Sequence, residues 1–175
     1  MAGPAIIRVE VAGERDLRRI AAIHVDSWQD AFRGIVPDAV LTGHSVERSL
    51  ELWRGNFDRY PGNLTIARQG DSVVGFCCAG PAVNQAKNAP FEFQIYALHT
   101  SPALRRRGIG AALLRQALAR CRAGGMTRAI VWTLDQLVLS RRFYEREGGQ
   151  PAKTGVWTVG EFTLPEVAHG WTFAG

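Results

Sequence analysis

Lysine is nearly missing from this chain: 19 of its 21 basic residues are arginine, and the exceptions are Lys87 and Lys153. Genome composition accounts for that skew as well as function does. Cysteine is also sparse, at three residues, with Cys77 and Cys78 adjacent. That excludes a regular disulfide framework, and without C-x-x-C or paired histidine spacing no metal is expected. Cys77 reads as a small apolar filler on a core strand. No run of about 18 apolar residues occurs, so no membrane-spanning helix is expected. The opening MAGPAIIRVEVAGERD lacks the charged-then-apolar layout of a secretory signal. The expected setting is therefore the cytoplasm, with no membrane partner.

What is present suits one folded domain, residues 1–175. Hydrophobic residues make up 46% of the chain, enough for a substantial core. The net charge of +5 is unevenly placed: residues 105–146 hold ten arginines against Asp135 and Glu145, while the remainder is slightly acidic. Excess cations in one segment suit anion binding, and scattered solvated arginines are the plainer alternative.

Periodicity gives the element order. Ile6–Ala12 alternates as a strand, and ERDLRRIAAIHVDSW places Leu17, Ile20, Ala21, Ile23 and His24 on one helix face. FRGIVPDAVL breaks that period at Gly34 and Pro37 and reads as a loop of large residues. SVERSLELWRGNF starts with a serine cap lacking the acid three positions on, and Leu50, Trp53 and Phe57 keep one face apolar. NLTIARQ, SVVGFCCAG and FEFQIYALHT read as strands, the last ended by Pro102. Gly108–Arg122 reads as a helix stopped by Gly124 and Gly125, and RAIVWTL as a strand buried on both faces. LSRRFYERE is a short helix ended by Gly148 and Gly149, before the strands VWTVGEF and PEVAHGWTF. The order β-α-α-β-β-β-α-β-α-β-β predicts one mixed α/β domain with a strand-helix-strand crossover from about residue 93 to 134.

The stretch TSPALRRRGIGAALL sets Arg105, Arg106 and Arg107 before Gly108-Ile109-Gly110 at the start of a helix. A helix N-terminus presents open N–H groups and partial positive charge, and glycine lets a ligand approach the backbone. Such an end suits a phosphate, although a tight turn and close helix packing would use the same glycines. A dinucleotide fingerprint fails on spacing: Leu113 stands where its third glycine belongs, and Ser101–Arg107 intervene after the strand. Nucleic-acid binding ranks below phosphate cradling, because no zinc-finger, RNP or helix-turn-helix pattern surrounds the arginines and the helix commits one face to the core.

Two matches carry a resemblance. Leu98-x-Thr100-x-Pro102-x-x-Arg105-x-x-Gly108-x-Gly110-Ala111 resembles the strand and pyrophosphate loop of the GNAT superfamily of N-acetyltransferases, and Arg142-Phe143-Tyr144-Glu145 before Gly148 resembles its FYE helix. HVDSWQDAFRGIVPD and TLPEV look like one subset of that superfamily. The resemblance implies the GNAT fold: a single mixed, mostly antiparallel sheet with a parallel β-α-β crossover and helices on both faces. It implies acetyl-CoA or another acyl-CoA as co-substrate, with the pyrophosphate on the backbone of Arg105, Arg106, Arg107, Gly108, Ile109, Gly110 and Ala111. The pantetheine arm would pair with Leu98, His99 and Thr100, whose strand supplies the oxyanion donor.

It further implies acyl transfer to an amine, with Tyr144 as the acid that protonates the leaving thiolate. Many members carry a glutamate base where Gln94 stands, and Gln94 cannot take a proton. Glu92, two residues earlier on the same strand face, is the candidate base, and an exposed strand-end charge is its alternative. His99 points to the other face as a packing residue, while His24, His44 and His169 are isolated in sequence. Many members also place asparagine where Leu137 stands. Acceptor contacts fall to Trp28, Phe32 and Arg33, with the Asn84–Phe91 loop and the last strands. The expected acceptor is a small-molecule amine or a protein N-terminus, and homodimers are common among members. An acyl-CoA-binding module without turnover is the competing class.

Overall fold

A computed structural model of the chain describes residues 6–174, and the first five residues of the stretch read above for a targeting signal lie outside that range. Strands β1 (Ile7–Val11), β2 (Leu64–Gln69), β3 (Ser72–Pro81), β4 (Phe93–Thr100), β5 (Arg128–Leu134), β6 (Gln150–Val159) and β7 (Phe162–Thr172) hydrogen-bond in the order β1-β2-β3-β4-β5-β7-β6. Helices α1 (Leu17–Ala31), α3 (Val46–Arg59), α5 (Ile109–Ala123) and α6 (Val138–Arg146) take the expected places. Two short helices, α2 (Asp38–Thr42) and α4 (Gln85–Asn88), stand where loops were expected. Pro37, with φ −58°, presets the start of α2, and the Asn84 side chain accepts from the Lys87 N–H at 3.0 Å to start α4. No helix among the described residues is long and apolar enough to cross a membrane.

The chain gathers into two compact units, one of Met1–Cys78 with Ala97–Gln116 and one of Ala79–Tyr96 with Ala117–Gly175. In the first, β1, β2 and β3 form an antiparallel ladder. The periodic residues Leu17, Ile20, Ala21 and Ile23 of α1 are buried with Trp53, Leu64, Ile66, Val73 and Phe76. Helix α3 starts where the sequence placed a serine cap: the Ser45 hydroxyl accepts from the Arg48 N–H at 3.2 Å. Buried Asp16 accepts from the Gly13 N–H at 2.9 Å and pairs with Arg68 at 2.6 Å, which fixes the entry to α1.

In the second unit β4 and β5 pair in parallel from Phe93↔Ala129 to Ile95↔Val131, which is the expected crossover. β7 pairs antiparallel with both β5 and β6. β6 begins at Gln150, earlier than VWTVGEF suggested. QPAKTG shows no apolar alternation, but β6 ends the strand order, and an edge strand tolerates Pro151.

Candidate active site

The first unit carries the glycine loop. After β4, the Ser101 N–H donates to Val74 O at 2.9 Å and a 3-10 turn spans Pro102–Leu104. Arg105 is extended, and then Arg106 (φ 61°) and Gly108 (φ 78°) both take the left-handed conformation. A Cβ at Gly108 would meet nothing within 4 Å, so the backbone angle, and not crowding, calls for glycine there. The first α5 bond in this turn is the Ala112 N–H to Gly108 O at 3.0 Å, which leaves the N–H groups of Ile109, Gly110 and Ala111 ahead of the helical ladder. Arg105 to Gly108 are exposed and Ile109 is buried. Gly75 on β3 seats this end: a Cβ there would come within 2.9 Å of Ile109, 3.1 Å of Leu113 and 3.0 Å of His99 O. The loop is thus a turn that sets the first N–H groups of α5 ahead of the helical ladder. Of its arginines, Arg105 is ion-paired with Asp30 on α1.

Leu98, His99 and Thr100 are half-buried on the part of β4 beyond its pairing with β5. The His99 side chain turns into a histidine cluster. Its Nδ1 lies 2.9 Å from Ser27 Oγ, its ring stacks on Phe76, and its centroid is 5.1 Å from His24. His24 Nδ1 accepts from Trp53 Nε1 at 3.1 Å and lies 2.9 Å from Ser49 Oγ. His44 is 4.6 Å from His24, centroid to centroid, and stacks on Trp28. Burial, followed by the neighbouring histidines, pushes the His24 pKa down to about 2. Burial, then His44, pushes His99 down to about 4, and burial lowers His44. The three rings are therefore neutral at neutral pH. Trp28 also packs on Phe32 at 4.6 Å, whereas Arg33 is exposed. Histidines isolated in sequence are brought together with two of the three expected acceptor residues.

The second unit carries the other expected catalytic residues, in separate networks. Tyr144 on α6 is 7% exposed, its ring lying 6.0 Å from His169 and 6.2 Å from Trp171. Gly149 makes this fit possible, since a Cβ there would stand 2.8 Å from the Trp171 ring. Glu92 accepts from the Thr127 N–H at 2.8 Å and the Thr127 hydroxyl at 3.2 Å. These bonds, the backbone one first, hold its carboxyl below the ordinary range and make it a weaker base. Gln94 Oε1 accepts from Asn88 Nδ2 at 2.7 Å. Leu137 is the N-cap of α6 and makes no side-chain cap bond, as an apolar residue must.

A further constellation in this unit was not anticipated. Lys87 Nζ is ion-paired with Glu166 and lies 4.3 Å from the centre of the Trp132 ring. Trp132 Nε1 donates to Asn88 Oδ1 at 2.9 Å, and Lys153 Nζ donates to the carbonyls of Lys87 (2.6 Å) and Ala89 (2.8 Å). The one available signal was compositional, because both lysines of the chain meet here. A separate cavity of about 610 Å³ is lined by Pro90 and Phe91 of the expected acceptor loop and by Gly170 and Trp171 of the last strand, with Arg128 beside them, and it includes neither Tyr144 nor Glu92. Among the described residues no cluster of His, Cys, Asp and Glu is arranged to hold a metal ion.

Comparison with known proteins adds four findings. The family model of the acetyltransferase (GNAT) family matches residues 21–149. The chain is 25% identical over 166 residues to the "Uncharacterized N-acetyltransferase YuaI" of Bacillus subtilis (strain 168), covering 95% of this chain and 93% of that one. It is 29% identical over 151 residues to the "Probable N-acetyltransferase Rv2775" of Mycobacterium tuberculosis, covering 82% and 80%. Among solved structures, the PaiA N-acetyltransferase of Thermoplasma acidophilum, in complex with coenzyme A, superposes with a TM-score of 0.73 at 16% identity over 96% of this chain and 99% of that one. That last likeness concerns the fold.

Proposed function

Because the chain belongs to the GNAT acetyltransferase family, we propose that residues 1–175 act as one N-acetyltransferase domain that moves an acetyl group from acetyl-CoA to a primary amine. The observation that carries the reading is the start of α5, where two left-handed residues set the amides of Ile109, Gly110 and Ala111 ahead of the helical ladder, with nothing within 4 Å of a Cβ at Gly108. That cradle fits a pyrophosphate, because helix-end amides satisfy an anion without a buried counter-charge. The half-buried Leu98–Thr100 segment, beyond the β5 pairing, fits an amide-bearing arm that adds like a strand. Coenzyme A is the molecule held by the PaiA relative in its structure.

When bound, acetyl-CoA supplies an activated carbonyl on a sulfur leaving group. The chain's task is to position that carbonyl and handle protons. The β4 backbone from Leu98 to Thr100 directs an N–H at the developing oxyanion. Tyr144 donates to the departing sulfur, a role a phenol suits because it stays protonated at neutral pH. Glu92 takes the amine proton through water, with a basicity that Thr127 lowers. Trp28, Phe32 and Arg33 border the acceptor. Three buried cysteines in no disulfide, Cys77, Cys78 and Cys121, suit a reducing compartment, and the cytoplasm is part of the same proposal.

One observation favours a second reading. With Gln94 in place of a glutamate and engaged by Asn88, the chain could bind acyl-CoA without turning it over. Release of free CoA thiol from acetyl-CoA, followed over a panel of primary amines, decides between them. Amine-dependent release supports the enzyme, and tight CoA binding with no release for any amine supports the module. Gly108→Ala, which strains a φ of 78°, is expected to weaken CoA binding in either case.

A further inference from the structure

We propose that Glu166 and the face of Trp132 form a subsite for the acceptor's ammonium group, and that Lys87 is an internal occupant which the acceptor displaces. The proposal deepens the acetyl-transfer reading and rests on it for naming the displacing cation an acceptor. Strand register builds the site. Gln94 stands opposite Ile130, Trp132 lies two residues further along, Glu166 stands opposite Leu134, and Gly155 stands opposite Glu166. All four therefore share one face of the sheet. A Cβ at Gly155 would come within 3.0 Å of the Trp132 ring and 3.1 Å of the Glu166 carboxylate, so any side chain there would close the space around both.

A buried carboxylate beside an aromatic face is the chemistry that recognises an alkylammonium. The two partners of the ion pair differ in a way that matters. The Glu166 side chain is 5% exposed and that of Lys87 is 37% exposed, so the lysine can swing to water while the carboxylate cannot. Once vacated, Glu166 is a buried charge without a partner, and a replacement cation is strongly favoured. The backbone that carries Lys87 need not move, since Lys153 holds the carbonyls of Lys87 and Ala89, and Asn88 ties Gln94 to Trp132. Only the Lys87 side chain has to rotate. The site thus takes a primary ammonium on a flexible alkyl stem.

The test uses the full chain and n-butylammonium chloride, whose stem matches that of lysine. Calorimetric titration without acetyl-CoA is expected to show Lys87→Ala binding it about tenfold more tightly than wild type, or about 1.4 kcal/mol. Lys87→Ala/Glu166→Gln is expected to lose that gain. Equal affinity in Lys87→Ala and wild type, or an undiminished gain in the double variant, overturns the proposal. Should Lys87→Ala not fold, the two lysine side chains of the wild-type chain, 13C-labelled, are followed by NMR while n-butylammonium chloride is titrated in. A saturable shift of the Lys87 signal with Lys153 unchanged supports displacement, and an unchanged Lys87 signal overturns it. Because these readouts need no turnover, a failed subsite leaves thiol release intact, and a failed enzyme reading leaves ammonium binding intact.

Discussion

Lowering the pH from 7.5 to 5 should destabilise this protein well before its carboxylates titrate, because the buried His24 and the half-buried His99 are held neutral. Burial is the first cause at both: it holds His24 near a pKa of about 2 and His99 near about 4, with neighbouring histidines adding to the shift. In the unfolded chain both return to about 6.5. The folded values are depressed, so the unfolded state binds protons first and the stabilisation is complete only above about pH 6.5. It is lost as pH falls from there towards the folded values. At pH 5 the linkage is worth about 2 kcal/mol for each ring, or about 4 kcal/mol together. For a chain of this size that is a fall in Tm of about 10 °C. Circular-dichroism melts at constant ionic strength across that range measure it. His24→Asn offers an acceptor to the Trp53 N–H in place of Nδ1 without a titrating ring, and should roughly halve the fall. A Tm that stays level from pH 7.5 to 5, or a fall unchanged in His24→Asn, would refute the reasoning.

Two further outcomes follow from α6. Tyr144→Phe keeps the ring against His169 and Trp171, so stability should hold while kcat drops by about a hundredfold and the acetyl-CoA KM stays within about twofold; unchanged kcat in steady-state thiol release sinks the acid role. Leu137→Asn gives the N-cap of α6 a side-chain acceptor and should raise stability by about 1 kcal/mol, read as Cm in urea; no gain would mean that the cap amides already find a partner.

The long elements were legible because each carries its own periodicity. Leu17, Ile20 and Ile23 recur at helical spacing and are buried, and the apolar run RAIVWTL became β5 beside parallel β4. Helices α2 and α4 were not legible, since four or five residues are too short for a pattern and lean on local caps such as Pro37 and Asn84. Pairing with β7, and not its own sequence, made a strand of the polar QPAKTG stretch. The loop was readable as a motif, but the partner of Arg105 was not, because Asp30 is distant in sequence and only the fold brings α1 beside it. The same limit hid the histidine cluster and the Glu166 site, which exist only through register and helix placement.

Both lysines of this arginine-rich chain lie in the polar cluster. Elsewhere five acids of this chain meet a guanidinium: Glu10, Glu14, Asp16, Asp30 and Asp135 each pair with an arginine. The two exceptions lie together, and each stands where a compact head group is needed. Lys153 sets one nitrogen on two carbonyls at 2.6 and 2.8 Å, and Lys87 sets one between a carboxylate and a ring face. A guanidinium spreads five donors over a plane and matches neither one nitrogen shared by two carbonyls nor a point charge held over a ring. In a chain so biased towards one cation, the exceptions mark the place where the shape of the site, and not its charge alone, selects the side chain.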